Sequence, residues 1–130
     1  MTIAVGDALP PFVIDSVSAA AMQDWAVFLT DPNPIHLDVD AVKAMGLGDR
    51  LINQGPANVA YIANMVIAAF PGARIDSMNN RFVDNAYAGD RLVASGTITA
   101  IAGNLVTCET LLIADDTRTV ITGSVTLNLA

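Results

Sequence analysis

The segment GPANVAYIANMVIAAF, residues 55–70, limits the possible folds more than any other. Gly55 and Pro56 sit where a helix can begin, because proline is tolerated in a first turn. Apolar residues then occupy nearly every side of the helix, and such a helix must be covered all round. Its polar exceptions, Asn58, Tyr61 and Asn64, are spaced by three and share one narrow face. They fit either a satisfied stripe at an interface or the lining of a pocket.

The cover must come from the C-terminal half. After PGAR the chain reads as strand upon strand: ARIDSMNNRFVDN, the turn AYAGD, then RLVASGTITAIA, LVTCETLLIA and RTVITGSVTLNL. The last three runs are rich in Val, Ile and Thr and alternate over long stretches. Turns at Gly103–Asn104 and Asp115–Asp116 separate them, so consecutive antiparallel pairing is predicted. Upstream, PPFVIDSVS reads as a strand, and Ser18 can cap a helix over AAAMQDWAVFLT. Met22, Trp25, Ala26 and Leu29 give that helix an apolar, core-facing side. Pro32 and Pro34 break it, and DVDAVKAMGLG follows as a short turn ending on glycines. The expected class is α+β, an antiparallel β-sheet wrapped around a long central α-helix. At 130 residues the chain is read as one domain, 1–130, without a linker.

The chain is 53% hydrophobic and 15% charged, which suggests more apolar surface than one subunit can cover. A homo-oligomer, in the simplest case a twofold homodimer, is expected. The most apolar stretch, Val59 to Phe70, is short of the ~20 residues a bilayer needs, so no membrane span is expected. The N-terminus has neither a basic region nor a continuous apolar run, which argues against a cleaved signal and for a cytoplasmic location. Cys108 has no partner for an internal disulfide and reads as a small buried hydrophobe. With net charge −7 and scattered cations, nucleic acid is a poor candidate partner. No dinucleotide fingerprint, phosphate-binding loop or Cys-based metal site is present, so neither a cofactor nor a metal is expected.

One stretch is built for more than packing. TDPNPIHLD, residues 30–38, holds the only histidine, His36, on a segment stiffened by two prolines. A lone histidine is more often structural than catalytic. Asp31, however, lies five residues before it, and Asn33 can tie the loop to itself through its side-chain amide. An Asp and a His held at fixed separation can handle one water, one group taking a proton while the other gives one. Downstream, a free Gly55 N–H with a helix dipole behind it could polarise a carbonyl oxygen. Activated water, a proton for Cα and an oxyanion donor are what hydration of an α,β-unsaturated thioester requires.

Asp31, Pro32, Asn33, Pro34, Ile35 and His36 closely resemble the signature of the MaoC-like (R)-specific enoyl-CoA hydratases, a hot-dog-fold family. The resemblance runs over nearly the whole chain. It implies reversible syn addition of water to a trans-2-enoyl thioester, carried on CoA or acyl carrier protein. It also implies Asp31 and His36 as the catalytic pair, Gly55 as oxyanion donor, and Asn33 and Pro34 as residues positioning the loop. Three departures stand out. Gln54-Gly55-Pro56 replaces the family's His-Gly and aliphatic run. Thr30 stands where a small residue, often glycine, is common, and Ala63 falls near a usual hydroxyl position. They point to an altered pocket wall, with Gln54, Pro56 and Asn58 as its candidates. Arg50, Arg81 and Arg91 are candidate cations for the CoA phosphates. Two other readings stay open: a non-catalytic or heteromeric partner subunit of a hot-dog hydratase, and an acyl-CoA thioesterase.

Overall fold

A computed structural model describes residues 2–130. In chain order it contains β1 (Phe12–Ile14), α1 (Ala19–Leu29), a single 3₁₀ turn (Pro34–His36), α2 (Val39–Ala44), α3 (Gly55–Ala69), β2 (Arg74–Phe82), β3 (Leu92–Ala102), β4 (Leu105–Ala114) and β5 (Arg118–Asn128). Ser18 caps α1 as expected, its side chain accepting from the Ala21 N–H at 3.1 Å. The glycine-ended stretch expected to be a turn instead forms the short helix α2, because Asp38 caps it by accepting from the Asp40 N–H at 2.9 Å.

The five strands form one antiparallel sheet in the order β1-β3-β4-β5-β2. The last three pair consecutively through two tight turns, with positive φ at Gly103 and at both Asp115 and Asp116. The first strand after the central helix does not join β3 as a hairpin. Residues 83–91 carry the chain across, and β2 lies along the far side of β5, Phe82 opposite Ile121. Register shifts interrupt β2 at Asp76, β3 at Thr99 and β5 at Val120. Each bends its strand, which lets the sheet curl around α3.

Alternation then does the packing. Leu92, Ala94, Ile98, Val106, Cys108 and Leu112 point inward against Ile62, Met65 and Val66 of α3. Cys108 is a buried free thiol within this core, and burial pushes its pKa up. Gly96 leaves room for two core side chains: a Cβ there would lie 3.0 Å from Leu9 and 3.1 Å from Met65 of α3. The central helix is not covered on every side, however. Asn64, Ile67 and Ala68 are exposed, as are Val27 and Phe28 on α1. No helix among the described residues is long and apolar enough to cross a membrane.

Candidate active site

The site grows out of the end of α1. Thr30 adopts a left-handed conformation at φ 51° and ψ 47°, and the Asp31 N–H reaches back to the Ala26 carbonyl at 2.9 Å. This termination throws the chain outward, where two prolines prevent it from resuming the helix. Asp31 Oδ1 accepts the Asn33 N–H at 3.1 Å, and Asn33 Oδ1 accepts the Ile35 N–H at 3.3 Å. These successive side-chain caps wind Pro34–His36 into its 3₁₀ turn. They bring His36 Nε2 to 3.3 Å from Asp31 Oδ2, with the imidazole buried and the carboxylate half-buried.

The other ring nitrogen is engaged as well. His36 Nδ1 lies 2.6 Å from the Ile52 carbonyl oxygen. A carbonyl only accepts, so Nδ1 carries the hydrogen and Nε2 is the nitrogen that faces Asp31. The Ile52 N–H in turn donates to the Ile35 carbonyl at 3.0 Å, so residue 52 grips the histidine turn at two points. Ile52 had no mark in the sequence, since its contribution is a backbone carbonyl that any residue offers.

Gly55 opens α3 behind Gln54, whose side chain makes no cap hydrogen bond, and Pro56 offers no N–H. The Gly55 N–H is therefore among the donors a helix start leaves without an intrahelical partner. It follows the His36-bound Ile52 by three residues, within about 10 Å of extended chain. A Cβ at Gly55 would meet Phe82 Cε1 at 3.3 Å, so the open backbone here depends on the absent side chain.

Beside Asp31 lies an open cleft of about 600 Å³, lined chiefly by Ala26, Val27, Thr30, Pro32 and Leu37. Gln54 and Asn58 lie elsewhere. Gln54 is fully buried, its Nε2 donating to the Met22 carbonyl at 2.8 Å and tying α3 to α1. Asn58 accepts from Asn53 Nδ2 at 2.8 Å, and the same amide reaches the Tyr61 hydroxyl at 3.1 Å. Two of the three polar positions on α3 thus form a satisfied stripe, while Asn64 is exposed and Pro56 lies on the surface.

The three candidate arginines do not form one cluster. Arg50 is paired with Asp90 at 2.8 Å and Arg91 with Asp116 at 3.3 Å. Arg81, on the exposed side of β2, has no ion pair among the described residues. It borders a second depression of about 700 Å³ on the outer sheet face, with Ser95, Thr97, Glu109 and Ser124. No group of three or more His, Cys, Asp or Glu side chains among the described residues is placed to hold a metal ion.

An antiparallel sheet curled around one helix, with an Asp–His pair on a proline-stiffened loop, defines a hot-dog-fold protein. Residues 9–112 match the MaoC like domain, and the chain belongs to that family. No curated protein matches it in sequence. Among solved structures it is similar to the ChsH1-ChsH2 complex from Mycobacterium tuberculosis, at 24% identity and TM-score 0.88 over 100% of both chains. It is similar to the (R)-hydratase from A. caviae involved in PHA biosynthesis, at 20% identity and TM-score 0.90 over 99% of this chain and 98% of that one. It also resembles the (R)-hydratase PhaJ1 from Pseudomonas aeruginosa, at 22% identity and TM-score 0.86 over 97% and 81% of the two chains.

Proposed function

We propose that this protein is an (R)-specific 2-enoyl thioester hydratase, and in reverse a 3-hydroxyacyl dehydratase, its 130 residues forming one MaoC-like unit. The observation that carries the reading is the geometry of His36. Its Nδ1–H is committed to Ile52 and its Nε2 is held 3.3 Å from Asp31 Oδ2. A water placed against both atoms attacks Cβ of the enoyl thioester. The step requires the pair to enter with one proton shared between Nε2 and Oδ2: the member without it takes the proton that the water loses, and the other delivers its proton to Cα. Both act from one side, so addition is syn, and a transfer across the short gap restores the starting state. The Gly55 N–H donates to the thioester oxygen as enolate character develops. The cleft beside Asp31 is predominantly apolar, which suits an acyl group better than a charged one. An acyl-CoA or acyl carrier protein thioester is the substrate class this implies.

The exposed apolar residues of α1 and α3 favour an assembly. Val27 and Phe28 are 82% and 79% exposed on the helix that leads into Asp31, and Ile67 is exposed on the central helix. A second hot-dog subunit, identical or related, would cover such surface. The test follows loss of enoyl-thioester absorbance with the purified protein and trans-2-enoyl-CoAs from crotonyl to ring-bearing acyls. Hydration to an (R)-3-hydroxy product is expected. Release of free thiol instead would assign a thioesterase. Inactivity of the pure chain, relieved by a second hot-dog subunit, would make it one half of a heteromer.

A further inference from the structure

We infer that Asp90 is a positioning residue for the His36 imidazole, acting through the backbone of residues 51–53. Its contribution to catalysis rests on the hydratase reading above; its effect on the imidazole does not. The Asp90 side chain is wholly buried in the turn before β3. Its Oδ1 accepts from Arg50 Nη1 at 2.8 Å, and its Oδ2 accepts from Arg118 Nη2 at 2.7 Å and from the Tyr87 N–H at 2.9 Å. Both guanidiniums lie over the Tyr87 ring, 4.9 and 5.3 Å from its centroid. Arg50 also donates to the Ala88 carbonyl at 3.2 Å, and Arg118 donates to the Asn85 carbonyl.

What these bonds fix is a narrow ribbon with two working edges. On one edge, the Leu51 carbonyl accepts the Ala88 N–H at 2.8 Å and the Asn53 N–H donates to the Ala86 carbonyl at 2.8 Å. On the other, Ile52 grips the histidine turn through both its N–H and its carbonyl. Ile52 and Tyr87 form an isolated bridge outside the main sheet, so the ribbon has no long ladder to hold it in place. Asp90 supplies what the ladder does not. It binds the ribbon's leading residue through Arg50, binds the facing turn through the Tyr87 N–H, and anchors both to β5 through Arg118. A buried carboxylate is a weak source of net stability compared with apolar packing. Three directed bonds at one point do give a fixed geometry, which a carbonyl orienting a catalytic imidazole requires.

His36 is the only histidine, so ¹⁵N-histidine labelling yields one imidazole to observe. The wild type should show a persistent Nδ1–H proton. Asp90→Asn and Arg50→Met, verified as folded by circular dichroism, should broaden or lose it through solvent exchange. With crotonyl-CoA or the best enoyl-CoA, kcat should fall roughly tenfold with KM nearly unchanged, within the ~100-fold that a misplacement of about 1 Å can cost. Asp76→Asn, which removes a surface pair with Arg74 on β2, should change neither readout. Folded variants that keep a sharp Nδ1–H signal would overturn the inference. So would an Arg50→Met protein with raised KM and unchanged kcat, which would assign Arg50 to the CoA phosphates. If Asp90→Asn does not fold, Arg50→Met still decides, since the Arg50 side chain is 47% exposed. A wild type without hydratase activity would defeat the proposed reaction while the imidazole signal still tests the positioning.

Discussion

Asp31 and Asp90 both sit in tight loops, and both face side-chain nitrogens at short range. Asp90 is saturated: three donors lie 2.7–2.9 Å from its two oxygens, and water does not reach it. Burial by itself would raise its pKa. The Tyr87 N–H and the Arg50 and Arg118 guanidiniums outweigh that and hold the carboxyl below its ordinary range. Asp31 has one local donor, the Asn33 N–H, and its second oxygen meets only an imidazole nitrogen at 3.3 Å. A carboxylate filled with arginine donors has no room for an exchangeable proton. One that faces a histidine across a longer gap, at the edge of an open cleft, retains that room. The same residue type is thus a fixed anchor in one loop and, under the proposed reaction, a proton carrier in the other.

Breaking the open pair should have the largest effect. Asp31→Asn or His36→Ala is expected to lower hydration by about 100- to 10,000-fold, with the circular dichroism spectrum and melting temperature close to wild type. A variant with near-normal turnover would remove that residue from the chemistry. Next comes the proposed oxyanion donor, Gly55. Gly55→Pro deletes the N–H at a helix position that accepts proline, and should cost about 100- to 1,000-fold in kcat. Gly55→Ala keeps the donor and only presses Phe82, an exposed side chain able to yield, so its kcat should stay near wild type. If the two variants fall equally, the fault is steric and Gly55 is not the donor.

The saturated carboxylate should reveal itself in stability and its pH dependence. Asp90→Asn is expected to destabilise the fold by roughly 2–4 kcal/mol. That is somewhat under the ~3–5 kcal/mol of a fully buried pair, because Arg50 and Arg118 remain 47% and 30% exposed. Its folded-state pKa lies below the unfolded carboxylate value of about 3.9, so its stabilisation is complete above that pH. The stabilisation is then lost as pH falls through the folded value. Urea unfolding from pH 6 to pH 2 should show wild-type stability dropping below about pH 4, with a shallower drop in Asp90→Asn. Parallel curves would mean that other carboxylates govern acid unfolding.

The contrast also explains what the sequence could and could not disclose. The closeness of Asp31 and His36 was legible because prolines and an Asx-capping Asn mark a rigid loop, and the chain's lone imidazole stands inside it. The central helix and the last three strands were legible because their periodicities differ and turn residues separate them. The far-edge placement of β2 was not, since a strand's own sequence does not specify its neighbour, and the AYAGD turn within residues 83–91 changes the chain's direction without pairing β2 to β3. The role of Ile52 was invisible because a carbonyl leaves no trace in residue identity. The Asp90 cluster was hidden for another reason: its members, at positions 50, 87, 90 and 118, meet only through tertiary folding. Gln54, read as pocket wall, is a buried strut between two helices, a distinction that depends on which way one side chain turns.

The smallest expected effect carries the opposite sign. Thr30 is a β-branched residue at φ 51°, a conformation that costs a side-chain-bearing residue about 1–2 kcal/mol. Glycine enters that region freely but gives up more backbone entropy on folding, about 0.5–1 kcal/mol. Thr30→Gly should therefore stabilise the fold by something under about 1 kcal/mol, a rise of a few degrees in melting temperature for a domain of this size. The Asp31 N–H still bonds the Ala26 carbonyl and Asn33 still caps the following turn. Those two anchors lie on either side of the Asp31 carboxylate, so turnover should stay within about twofold of wild type. A loss of stability in Thr30→Gly would mean that the threonine side chain repays its strain through packing at the rim of the cleft. A tenfold loss of turnover in a more stable protein would mean that the left-handed threonine itself aims Asp31 at the water, and that the strain belongs to the site.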